Sequence, residues 1–236
     1  LLTSRIGRLG INAIILALLL GPRADPALGQ PAACDGDGRL PDGCGNILFD
    51  GDSIAAGVGA SPNQPPDQQF LRGLGRPARL ANVAAGGRPV SECLQLFPMT
   101  VAPRHSTAAR FNLIVFHAGD NDIAQGRDSA TAYAAFTAYV AAAHKQGWMV
   151  LVSTELPRPN FSAPREAYLE DYNKRLIANG AGADGVVDLS VERRLTDLRD
   201  RADSGYYVAD KVHLNDAGYA RLTQRLLDAA RRLLPQ

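Results

Sequence analysis

Five short apolar runs recur along this chain, at 47–49, 79–83, 112–117, 149–153 and 186–189, and their alternation with helical stretches restricts the fold more than any other feature. Short, nearly unbroken apolar runs suit strands that are covered on both faces, which is the situation of parallel strands. The stretch 129–146 places Tyr133, Phe136, Val140 and Ala143 at three- and four-residue steps behind Ser129 as a cap. The stretch 164–179 opens on Pro164, presents Tyr168, Tyr172 and Leu176, and closes at Asn179-Gly180. A last helix begins near Asn215 and presents Tyr219, Leu222, Leu226 and Ala230, with Arg231 and Arg232 suited to its C-terminal dipole. Strand–helix alternation of this kind predicts an α/β fold: a single doubly wound, mainly parallel five-stranded sheet with helices on both faces. No internal repeat or second domain is visible, so 46–236 is expected to be one domain. In such a sheet, ligands bind beyond the carboxyl ends of the strands. The residues that follow each apolar run are therefore the ones to read for function.

Two segments precede the domain. Arg5 and Arg8 lead into an apolar run at 11–20, followed by Gly21-Pro22 and the small-residue stretch Ala27-Leu28-Gly29. This is the pattern of a secretory signal peptide over 1–29, with basic residues held on the cytoplasmic side while a short apolar helix enters the membrane. A bilayer span needs about 20 apolar residues. The run is shorter, so the expectation is cleavage and export (periplasmic or secreted), with no stable membrane insertion afterwards; an uncleaved anchor is the alternative. Residues 30–45 are rich in Gly, Asp and Pro and read as a loop or loose N-terminal arm. The three cysteines, Cys34, Cys44 and Cys93, would then meet an oxidising compartment. Cys34 pairing with Cys44, or Cys44 with Cys93, are both open, because connectivity is not readable from sequence. The formal net charge of +1, with no basic stripe, argues against a nucleic-acid partner. The sequence leaves the oligomeric state open.

After the first run comes Asp50-Gly51-Asp52-Ser53. A serine on a tight strand-to-helix turn exposes its hydroxyl and turns its own N–H toward the same space; the plainer reading is a serine capping a helix. After the second run, Asn82 is followed by Gly86-Gly87, where a glycine lets a backbone N–H approach a ligand. After the third come His117, Gly119, Asp120, Asn121 and Asp122. The Asn121 side chain carries two N–H donors suited to a developing oxyanion. Asp120, Asp122 and His117 are also possible metal ligands, but no second ligand cluster accompanies them, so no metal is expected. Near the end, Asp210 stands three residues before His213. That spacing lets the carboxylate take Nδ1–H and leaves Nε2 to face a serine. His105 and His144 read as ordinary surface or core residues, and His117 is ambiguous.

In this order the four blocks resemble the SGNH hydrolases, the GDSL esterase/lipase family: Gly51-Asp52-Ser53, Asn82 with Gly87, Gly119-Asp120-Asn121-Asp122, and Asp210 with His213, spanning about residues 46–232. Two positions depart from the pattern, Ala84 where the family often has Gly and Leu214 where it often has Pro. The resemblance implies a flavodoxin-like SGNH hydrolase fold and a serine esterase; few aromatics in the loops after the fourth and fifth runs, and no lid-like apolar segment, suggest short acyl or sugar O-acyl esters. Ser53 would be its nucleophile, His213 the base and Asp210 the orienting acid. Gly87, Asn121 and the N–H of Ser53 would form the oxyanion hole. No metal or organic cofactor is implied; the partner is a small-molecule or carbohydrate ester. Asp52 is expected to stabilise the serine turn and Asp122 to support the third loop. Leu156, Pro157, Phe161, Tyr206 and Tyr207 are expected at the substrate rim. Three rival readings use the same residues: an acyltransferase on extracellular polysaccharide, a non-catalytic binding protein on this fold, and a metal-dependent phosphoesterase.

Overall fold

The computed structural model describes Cys34, Leu40 and residues 43–197 and 205–235. The segment read as a signal peptide lies outside the described residues. Five strands, β1 (Gly45–Gly51), β2 (Ala78–Asn82), β3 (Asn112–His117), β4 (Met149–Ser153) and β5 (Gly185–Val187), form one all-parallel sheet in the order β2-β1-β3-β4-β5. The chain winds outward from β1 to β2, then crosses back to β3 on the other side of β1. The carboxyl ends of β1 and β3 therefore flank the switch in direction, where a doubly wound sheet opens a crevice.

Strand side chains alternate between two cores. Ile47, Phe49, Leu113, Val115 and Leu151 face one side, where they pack with Phe70 and Leu74 of α1 (Pro66–Leu74) and Tyr219, Leu222 and Leu226 of α7 (Asp216–Leu233). Leu48, Ile114, Phe116, Val150 and Val152 face the other. There they meet α2 (Val90–Thr100), α4 (Ser129–Lys145) and α5 (Ala163–Ala178) through Cys93 and Phe97, Phe136 and Tyr139, and Leu169 and Tyr172. Covering both faces is what makes an unbroken apolar strand stable in water, because each alternate side chain is buried in its turn. Two short helices complete the set, α3 (Asp120–Ala124) and α6 (Arg193–Thr196). Among the described residues no helix is long and apolar enough to cross a membrane.

Local details differ from the sequence reading in three places. The cap of α4 is Asp128, whose side chain accepts the N–H of Thr131, rather than Ser129, which lies inside the helix and bonds Asp171. On α5 the buried stripe is Leu169, Tyr172 and Leu176, and Tyr168 is exposed. Before β1, Cys34 and Cys44 form a disulfide and bury Leu40 between them and Ala109, while Cys93 stays a free thiol inside α2. The described part of that arm is packed, not loose.

Candidate active site

The end of β1 meets the end of β3 closely. A Cβ on Gly51 would lie 2.0 Å from the carbonyl oxygen of His117, and Gly51 has φ +133°, so only glycine fits. The same carbonyl accepts the N–H of Asp52 at 2.9 Å. Asp52 is buried, and its Oδ1 accepts the N–H of Ile54 at 2.8 Å, which closes a tight turn with Ser53 at the apex. The chain does not pass directly into a helix as its sequence suggests. It continues through turns, with Val58 N–H donating to Ser53 O at 2.9 Å, and the prolines at 62, 65 and 66 delay α1 until Pro66.

His213 reaches Ser53 from a small hairpin just before α7. Tyr207 and Leu214 form an antiparallel bridge, Val208 N–H donates to His213 O, and Asn215 N–H donates to Tyr206 O. The Asn215 side chain then caps α7 by accepting the N–H of Gly218. Within the hairpin, Asp210 Oδ1 accepts the N–H groups of Val212 and His213 at 2.8 and 2.9 Å. Its Oδ2 lies 2.6 Å from His213 Nδ1. A carboxylate accepts only, so Nδ1 carries the proton and Nε2 presents its lone pair. That nitrogen is 2.9 Å from Ser53 Oγ, across 160 residues of sequence. Partial burial pushes the Asp210 carboxyl up, but the bonds from the His213 ring and from the two N–H groups outweigh it and hold the group below its usual range.

Three donors stand on the segments that follow β1, β2 and β3. The N–H groups of Ser53 and Gly87 and the Nδ2 of Asn121 have no hydrogen-bond partner among the described residues. Gly86 is the neighbour whose Cβ would face Ser53, 3.8 Å from its Cβ, while a Cβ on Gly87 would meet nothing within 4 Å. Asn121 sits in the first turn of α3. Gly119 before it has φ +155°, and a Cβ there would strike the Tyr172 ring at 2.2 Å. Asp122 accepts the N–H of Val90 at 2.7 Å and pairs with Arg127, tying α3 to α2. It supports the third loop, as its sequence position suggests.

Beneath the serine turn lies a second acid–histidine group. One ligand atom each of Asp52, His117 and Glu155 lies within 4.8 Å of the others, all buried. Their spacing is the one among the described residues that would suit a cation, and it is not the set of Asp120, Asp122 and His117 considered from sequence. His117 Nδ1 is 2.7 Å from Ser153 Oγ, and Nε2 is 3.2 Å from Glu155 Oε2, near enough for an ion pair although not aligned as a hydrogen bond. Burial alone would lower the His117 pKa, but Glu155, Asp52 and Asp120 together raise it to about 9. Burial raises Asp52 and Glu155 in turn, opposed by His117. The imidazolium is thus the counter-charge of this pocket at neutral pH. A further support runs through Asp50: Oδ2 accepts the Tyr139 hydroxyl at 2.7 Å, and Oδ1 accepts Gly51 N–H at 2.8 Å and Arg88 at 3.3 Å. Burial raises this carboxyl to about 6 against those three donors.

The residues singled out from sequence thus converge at one end of the sheet. The expected rim is revised: Leu156 and Tyr207 are buried in the core, while Pro157 lines a cleft of about 280 Å³ with Glu155, Arg158, Leu169 and Asn173. His105 packs its ring against Trp148 and His144 bonds Asp184, both away from the serine. Ser153, Glu155, Arg158, Tyr139 and Arg88 were not anticipated. Ser153 and Glu155 carried a signal, since polar residues closing an apolar parallel strand face the ligand end.

Comparison with known proteins bears on the fold and the family. No protein of curated function matches the chain. Among solved structures, TesA superposes with a TM-score of 0.64 at 23% identity, covering 80% of this chain and 99% of TesA. The acetyl xylan esterase AlAXEase gives 0.61 at 21%, covering 78% and 98%. The psychrotrophic esterase EstA from Pseudoalteromonas sp., in a structure inhibited by monoethylphosphonate, gives 0.63 at 15%, covering 79% and 97%. Likeness at such identities establishes the flavodoxin-like fold. Membership comes from the sequence itself, for residues 49–221 match the GDSL-like lipase/acylhydrolase family, a span that runs from the end of β1 into α7. The chain belongs to that family and is a carboxylic ester hydrolase.

Proposed function

We propose that this protein is an exported serine esterase that cleaves short-chain acyl or sugar O-acyl esters through an acyl-enzyme on Ser53. The observation that carries the reading is the unbroken relay from Asp210 Oδ2 to His213 Nδ1 at 2.6 Å and from His213 Nε2 to Ser53 Oγ at 2.9 Å. Ser53 Oγ attacks the ester carbonyl while Nε2 takes its proton. Asp210, held ionised by its own hydrogen bonds, stabilises the imidazolium that forms. The negative charge on the carbonyl oxygen is met by the N–H groups of Ser53 and Gly87 and by Asn121 Nδ2, donors that spend no hydrogen bond elsewhere in the described protein. The imidazolium protonates the leaving alcohol, and water then repeats the sequence on the acyl-enzyme, with Nε2 again as base. This route requires no cofactor.

Support for a small or sugar-borne ester comes from the cleft beside Arg158. Its lining residues are mostly polar, with Pro157 and Leu169 as the apolar members, and it lies next to Asn121 through Arg158 without including Ser53 or His213. Such a lining suits hydroxyl groups better than a long alkyl chain. The acetyl xylan esterase among the structural neighbours is in keeping with it. Export is supported by the basic–apolar–small pattern of residues 1–29 and by the Cys34–Cys44 disulfide. The test is a panel of p-nitrophenyl esters of graded chain length beside acetylated xylo-oligosaccharides, with wild type and Ser53→Ala. The reading expects turnover that falls with acyl length, a single organophosphonate adduct on Ser53, and neither in the variant. Near-normal hydrolysis by Ser53→Ala would overturn it. Acyl transfer to an added sugar in place of free acid would identify a transferase.

A further inference from the structure

The Asn121 amide can serve an oxyanion only in one of its two orientations. Its oxygen and nitrogen ends have nearly the same shape, and only the nitrogen end donates. Something must therefore hold the oxygen end away from the serine. We propose that Arg158 is the positioning residue of this donor, pinning Asn121 Oδ1 so that Nδ2 stays turned to the reacting carbonyl. The proposal rests on the oxyanion role given to Asn121 above.

Arg158 lies on the loop that follows β4, five residues past Ser153. Its Nη1 lies 3.1 Å from Asp120 Oδ2 and 3.3 Å from Asn121 Oδ1, sharing its donors between two neighbouring residues of α3. A guanidinium has donors and no acceptor. The reversed amide would set N–H against N–H at 3.3 Å and lose the bond, so the arginine selects one orientation by charge. The arginine is itself fixed. Its side chain is 17% exposed, Asp120 balances its charge, and its guanidinium carbon stands 5.2 Å from the centre of the buried Phe161 ring. Its buried Nε has no partner in the described protein, so its strong interactions are concentrated at the Asp120–Asn121 end. Among the described residues Asn121 has no other side-chain contact that would set the amide, since Nδ2 has no partner there.

The position of Arg158 also joins the site to a neighbouring cleft. The arginine forms part of the wall of the 280 Å³ cleft with Glu155 and Pro157, while its tip sets the amide on α3. The loop after β4 and the oxyanion donor on the neighbouring strand's loop are thereby held as one unit.

The experiment is a double-mutant cycle on the full chain, reading kcat and KM separately with a short acyl ester. Arg158→Met keeps the length of the side chain and removes the donors. It is expected to lower kcat about 10-fold, a fraction of the loss of a whole oxyanion donor, with KM changed less than about 2-fold. Arg158→Lys, which keeps a cationic donor on one nitrogen, should recover part of the loss. In an Asn121→Ala background, Arg158→Met should change kcat less than about 2-fold further, because the amide it orients is gone. Thermal unfolding of each variant separates loss of fold from loss of turnover, and any unfolded variant is replaced by Arg158→Gln in the same cycle. If Arg158→Met costs as much in the Asn121→Ala background as in wild type, the positioning role is overturned while the oxyanion reading stands. If Asn121→Ala alone leaves kcat unchanged, the oxyanion reading falls and the proposal falls with it.

Discussion

The molecule holds two carboxylate–histidine groups around one serine turn, and they are built on opposite terms. Asp210 and His213 sit in a hairpin at the surface, with the Asp210 side chain 48% exposed, and two backbone N–H groups hold the carboxylate in its charged state. Asp52, Glu155 and His117 lie buried below the turn, with Glu155 at the edge of the cleft, and the histidine is the cation that offsets the two acids. In the proposed mechanism, water and local N–H groups keep the first pair ready to change charge. The second group cannot change charge without leaving a buried ion unpaired, which makes it a fixed support. Like pairs of side chains thus do unlike work, and the environment decides which.

The largest effect that would break this division is catalytic. His213→Gln should lower kcat/KM by about 10³- to 10⁴-fold with an ester substrate and leave the unfolding temperature within a few degrees of wild type. His117→Gln should show the reverse balance. It leaves two buried carboxylates without their counter-ion and should cost about 3–5 kcal/mol, the usual penalty for breaking a buried ion pair, measured by denaturant unfolding. Adding Glu155→Gln to it should restore part of that stability, since a neutral pair needs no counter-charge. If His117→Gln proved stable and His213→Gln proved unstable, the roles assigned to the two groups would have to be exchanged.

The contrast sharpens with pH. The folded His117 pKa, about 9, lies above the usual value of 6.5. Its proton is therefore held more tightly in the folded chain. The stabilisation is complete below pH 6.5, declines above it, and is gone once the pH has passed 9. A rise of this size corresponds to at most about 3 kcal/mol, or roughly 5–10 °C in the unfolding temperature of a domain this large. Wild type should lose that margin between pH 6.5 and 9.5 in differential scanning calorimetry, and His117→Gln should show a flatter profile over the same range. Asp210 runs the other way: its carboxyl is held below the ordinary range, so its contribution is present at neutral pH and lost only as acid protonates it.

The outer group was legible in the sequence and the inner one was not, for a physical reason. Asp210 and His213 lie in one short loop, so their spacing alone announces a hydrogen bond, and Ser53 announces itself by its place after an apolar run. The strands 112–117 and 149–153 were read to the residue, because buried parallel strands leave an unbroken apolar record. The inner group joins residues from β1, β3 and the end of β4, which are neighbours only through sheet order, and no local pattern encodes that order. His117 was visible as a histidine at a strand end, but Glu155 and Ser153, which give it its charge and orientation, were not connected to it. Four of the described helices were not read from the sequence, and the two longer ones were missed for local reasons. The helix Pro66–Leu74 is short and begins amid prolines, and Val90–Thr100 carries Pro98 near its end, where the sequence reads as a break.

The smallest prediction isolates the orienting bond of the inner group. Ser153 Oγ is 2.7 Å from His117 Nδ1, and the imidazolium, with both nitrogens protonated, donates there while its other edge faces Glu155. Ser153→Ala removes that acceptor and leaves every charge in place. It should cost about 1–2 kcal/mol, the range for losing one hydrogen bond to a charged partner. It should also ease deprotonation of His117, so that the alkaline loss of stability begins at a lower pH than in wild type. Ser153→Thr, which keeps the hydroxyl, should retain the wild-type midpoint even if its extra methyl costs some packing. An alkaline midpoint shared by Ser153→Ala and wild type would mean that the carboxylates alone hold the proton on His117, and that the serine merely fills space beneath the turn.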